Sequence, residues 1–113
     1  VQNALYDELV AKHGRENVQT EVSAGGKTKI DLVVRVKEGI HDFYEIKIST
    51  SVRTGIREAI GQILEYAYFH SNDDIVRNLV IVTPQPISDG CRNWIAKLQK
   101  IGLKIVHRHF VIN

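Results

Sequence analysis

Apolar residues recur along the chain at two periods, one helical and one of strands. At the helical period Val1, Ala4, Leu5 and Leu9 fall on one stripe, which predicts a helix over Gln2–His13 that stops at Gly14. Val18–Ser23 is a short strand, ended by the turn residues Ala24-Gly25-Gly26. Lys29–Val36 (KIDLVVRV) and Asp42–Ile48 (DFYEIKI) are rich in β-branched and aromatic residues. The short connection between them, with Gly39 at its tight spot, makes them a hairpin. Thr54–Phe69 returns to the helical period, with Ile56, Ala59, Ile60, Ile63, Leu64 and Ala67 on one face. Val76–Val82 is almost wholly apolar, as a strand buried on both faces must be, and Pro84 and Pro86 end it. Ser88 caps a third helix, along which Ile87, Cys91, Trp94, Ile95, Leu98 and Ile101 recur. Gly102 closes that helix, and Leu103–Ile112 holds one or two final strands. The order is α-β-β-β-α-β-α-β. A hairpin followed by helical crossovers implies an α/β fold in which a central mixed β-sheet is flanked by helices.

A chain of 113 residues makes one domain and not two, and no repeat or linker divides it. It begins at Val1 and contains no Met, so the expectation is a single domain, 1–113, taken from a longer polypeptide with further domains. No apolar run approaches the length of a bilayer, and no leader pattern opens the chain, so neither membrane insertion nor secretion is expected. The one cysteine, Cys91, can form neither an internal disulfide nor a thiolate metal site by itself. On the apolar face of a helix it reads as a small buried hydrophobe, and a cytoplasmic setting fits. The net charge of +2 permits phosphate binding without arguing for it. The case for a function has to come from a site.

The hairpin supplies one. Glu45 and Lys47 stand two apart and share a face of their strand, while Ile46 points the other way. Asp31, near the start of the first strand, is brought beside them, because neighbouring strands lie about 4.8 Å apart. Charged residues in otherwise apolar strands are costly unless paired or metal-bound. Two carboxylates bind Mg²⁺ through hard oxygen ligands and leave positions for water and a phosphate oxygen. A lysine beside such a metal can orient or deprotonate the attacking water and offset charge on the phosphate. The competing interpretation is a solvated cross-strand ion-pair cluster. Glu8 plots on the apolar stripe of the first helix, where it is either a supporting metal ligand or a helix-edge carboxylate paired with Lys12. Gln62 and Tyr66 lie along one edge of the second helix. A Gln there can donate to a phosphate or hold a ligand carboxylate, or else both residues are ordinary boundary packing.

Taken together, Ile30-Asp31, Glu45-Ile46-Lys47 and Gln62-Ile63-Leu64-Glu65-Tyr66 resemble the PD-(D/E)XK nuclease superfamily, the restriction-endonuclease-like fold. The Q-x-x-x-Y element is similar to that of RecB-type nucleases, and a Glu on the first helix is similar to archaeal Holliday-junction resolvases. The resemblance implies a nuclease that hydrolyses phosphodiester bonds with Mg²⁺ or Mn²⁺, on DNA ahead of RNA, in defence, repair or recombination. By the same resemblance Asp31 and Glu45 ligate the metal with the Ile46 carbonyl, Lys47 activates water, and Glu8 and Gln62 support them. Ile30 replaces the proline of the pattern, and His13 does not match the histidine usual upstream in the RecB-type group. The alternative is a catalytically silent nucleic-acid-binding or interaction module on the same fold.

Lys27, Lys29, Arg53 and Arg57 flank the cluster and, with Tyr66, are candidates for gripping nucleic acid. A homodimer is compatible with this reading. His107 and His109 share a face of the last strand, but two histidines without a third ligand are more often a surface feature. Gly25-Gly26-Lys27-Thr28 leads into a strand and lacks a P-loop's first glycine, so it is not one.

Overall fold

Side-chain alternation along the strands sorts the apolar residues onto the two faces of one sheet. The structure, a computed structural model, describes residues 2–23, 29–48, 51–68 and 76–111. Its elements are α1 (Gln2–His13), a 3₁₀ turn (Arg15–Asn17), β1 (Val18–Ser23), β2 (Lys29–Lys37), β3 (Ile40–Ile46), α2 (Val52–Tyr68), β4 (Val76–Thr83), α3 (Asp89–Lys100) and β5 (Ile105–His109). The strands lie in chain order in one five-stranded mixed sheet. β1, β2 and β3 are antiparallel neighbours, while β4 runs parallel to β3 and β5 parallel to β4. Each parallel step is bridged by a helix, since a tight turn cannot join parallel strands. The described residues form a single α/β domain with three helices.

Two apolar layers result. Val33, Phe43, Leu79, Ile81 and Ile105 face α2 and α3, meeting Ile56, Ala59, Ile63, Cys91 and Ile95. Leu32, Val34, Tyr44, Val80 and Val82 face α1, meeting Leu5 and Leu9. β4 contributes to both layers, as its unbroken apolar run requires. Cys91 is buried, as its helix position predicts.

Several boundaries differ from the sequence reading for physical reasons. The hairpin turns within Glu38-Gly39, where Gly39 holds φ 80°, so β3 begins at Ile40 rather than Asp42 and gains pairs with β4. Ser51 starts α2 earlier than Thr54: its Oγ accepts from the Thr54 amide at 3.1 Å. Ser88 caps α3 by accepting from the Cys91 amide at 3.3 Å. On α1 the buried residues are Leu5 and Leu9, flanked by Tyr6 and Val10, and Ala4 is exposed. The larger side chains set the helix rotation, because they remove more apolar area from water. Val1 and Phe69 fall outside the described residues. Among the described residues no helix is long and apolar enough to cross a membrane.

Candidate metal centre

The paired register of β2 with β3 runs to Leu32↔Tyr44. Beyond it, the Ile46 amide donates to Asp31 Oδ2 at 2.7 Å, so a carboxylate takes the place of a ladder carbonyl. Leu32, Tyr44 and Ile46 face α1, which turns their neighbours Asp31, Glu45 and Lys47 to the α2 face. On the other side of β3, Glu45 is in register with Ile81, and the Lys47 amide donates to Val82 O at 2.9 Å. Asp31, Glu45 and Lys47 therefore converge on rigid backbone at the C-terminal end of β3. Lys47 Nζ lies 3.5 Å from Glu45 Oε2.

Glu45 is only 5% exposed. Burial, reinforced by the Asp31 charge, pushes its carboxyl up from 4.5 to about 7, against the opposing pull of Lys47 and a backbone hydrogen bond from Asp31. Glu45 Oε1, moreover, is buried with no hydrogen-bond partner among the described residues. An unsatisfied buried acceptor costs about 1–3 kcal/mol, and more when charged.

A cation is the ligand these groups fit. Among the described residues no group of three or more His, Cys, Asp or Glu side chains is placed to hold a metal ion, so an ion here would rest on two carboxylates alone. Two carboxylates are hard oxygen donors, which would suit Mg²⁺ or Mn²⁺ with several waters retained. The Ile46 carbonyl, third ligand by the resemblance, belongs to the residue whose amide Asp31 already fixes.

The supporting residues are placed differently from the expectation. Glu8 does not join the cluster: it is exposed and ion-paired with Arg108. Arg108 is in register with Val82 and therefore stands on the α1 face, across the sheet from Asp31 and Glu45. The pairing of Glu8 with Lys12 is likewise replaced by this contact. Alternation along β5 puts His107 and Arg108 on opposite faces of the sheet. Gln62 is on the exposed side of α2 and makes no hydrogen bond among the described residues. Tyr66 is buried with its ring edge-on to Phe43 at 5.0 Å, so its ring packs in the core rather than on a nucleic acid. Arg53 and Arg57 are exposed on one side of α2. Lys27 lies outside the described residues, as does the side chain of Lys29. His107 Nε2 bonds the Thr83 hydroxyl at 2.6 Å and His109 Nε2 the Pro84 carbonyl at 3.0 Å, which occupies both histidines within the protein.

Comparison with known proteins returns no match to a family model, to a curated protein or to a solved structure.

Proposed function

We propose that this domain is a divalent-metal-dependent nuclease of the restriction-endonuclease-like fold, acting on DNA ahead of RNA. The observation that carries the proposal is the buried, unpartnered Oε1 of Glu45 beside a second carboxylate and a lysine. A bound Mg²⁺ or Mn²⁺ supplies charge neutralisation and a water acidic enough to ionise near neutral pH. Glu45 and Asp31 would hold the cation, with Asp31 fixed by the hydrogen bond it accepts from the Ile46 amide. With the metal bound, Lys47 would be available to a phosphate beside Glu45. There it offsets the added negative charge and orients the attacking water for proton removal. Glu8 plays no part in this reading, and Gln62 acts only by reaching a bound phosphate from the solvent side of α2.

Cleavage of supercoiled plasmid and of labelled oligonucleotides tests the reading, with wild type and Asp31→Asn each in Mg²⁺, Mn²⁺ and EDTA. Wild type should cut with either metal and not in EDTA, and Asp31→Asn should not cut. Absence of cutting by wild type on every substrate, or equal cutting by the variant, would refute the assignment.

A further inference from the structure

α2 and α3 lie on the same face of the sheet and enclose a groove of about 720 Å³. Arg53 and Arg57, one helical turn apart, form one wall; Gly90, Asn93, Trp94 and Lys97, on one stripe of α3, form the other. The groove's lining holds three cations and no carboxylate. Among the described residues none of the three cations is in an ion pair. Trp94 is half-buried: part of the indole rests on the core and part borders the groove. Gly90 leaves the α3 wall low, since a Cβ there would meet nothing within 4 Å.

We infer that this groove binds an unpaired nucleic-acid strand, its phosphates on Arg53, Arg57 and Lys97 and a base against Trp94. The inference deepens the nuclease reading and rests on it for the path of the substrate. Unpartnered cations call for a polyanion, and an aromatic surface among them favours bases over the side chains of an acidic peptide. Charge tracks the backbone and stacking holds the base, so binding is tolerant of sequence. Arg53 lies six residues after Lys47, which puts their Cα atoms within about 20 Å of each other. A strand a few nucleotides long could therefore reach from Arg53 to the candidate metal centre. The substrate feature assigned is an unpaired segment: an end, a flap or a junction arm.

Trp94 is the chain's one tryptophan, so its emission reports on the groove directly. The test titrates the intact protein, in EDTA so that nothing is cut, with a labelled single-stranded oligonucleotide of about 12 nucleotides. Tryptophan emission should fall together with a rise in the label's anisotropy. Arg57→Gln combined with Lys97→Gln should weaken binding at least tenfold and reduce the salt slope by about 0.7 per charge removed. Gly90→Glu introduces a carboxylate without a clash, at a helix start where acidic residues are favourable, so it should fold normally and still lose binding. Full anisotropy change with unaltered tryptophan emission would overturn the inference. Unchanged affinity in both variants, or equal or tighter binding of blunt duplex or poly-glutamate, would do the same. If the wild type never cuts but these binding results hold, the nuclease reading falls and the groove stands. If it cuts and both variants bind and cut as wild type does, the groove falls and the nuclease stands.

Discussion

Glu45 determines the behaviour of the centre. A carboxyl whose value is raised on folding, from 4.5 to about 7, favours the folded state only while protonated. Its contribution is intact below the unfolded value and is lost as pH rises through the folded one. Between pH 5 and pH 8 the metal-free domain should therefore lose on the order of 2–3 kcal/mol. Glu45→Gln should abolish most of that slope and melt several degrees higher than wild type at pH 8, with little difference at pH 5. Thermal melts of both proteins across that range check this, and parallel curves would contradict it. Asp31→Asn keeps an acceptor for the Ile46 amide and removes the like charge. The Glu45 carboxyl should then titrate lower than in wild type, as followed by carboxyl-carbon NMR.

At the scale of elements, much of this arrangement is legible in the sequence because the sheet period is strict. Two-residue spacing alone puts Glu45 and Lys47 on one face, and the hairpin delivers Asp31 to them. Helix faces are less legible, because a helix turns to bury its largest side chains. Glu8 plots near Leu5 and Leu9 on a projection, yet burial of those two leaves it at the edge, where Arg108 takes it. No local pattern shows that partner, which is 100 residues away. Tyr66 illustrates the same limit: its spacing from Gln62 marks a shared edge, but contact with Phe43 decides which of the two goes inside. Ile56→Ala, at a fully buried α2 position, should cost about 2–5 kcal/mol and loosen the helix that covers β2, β3 and β4. Gln62→Ala, at an exposed position, should change stability by less than about 0.5 kcal/mol. Steady-state cleavage by Gln62→Ala should be slowed about tenfold if the amide reaches the phosphate. An unchanged rate removes Gln62 from the machinery.

Across the whole molecule, the sheet divides two roles. The α1 face closes a conventional apolar layer with the Glu8–Arg108 pair on its rim. The α2–α3 face holds the buried carboxylate and the cationic groove. Among the described residues, the carboxylate cluster and the cationic groove thus lie on one side of the sheet. If the proposal holds, a divalent cation that binds only the folded state should raise its melting temperature in proportion to the logarithm of concentration above the dissociation constant. That stabilisation should be larger at pH 8 than at pH 6, since the metal and the proton compete for Glu45. The central claim is that the unpartnered oxygen of Glu45 faces a metal ion. Calorimetric titration with Mn²⁺ at pH 8, on wild type and Glu45→Gln, tests it most directly. Saturable binding to wild type, weakened at least tenfold in the variant, is the predicted result; equal binding by the two proteins, or none by wild type, would contradict it.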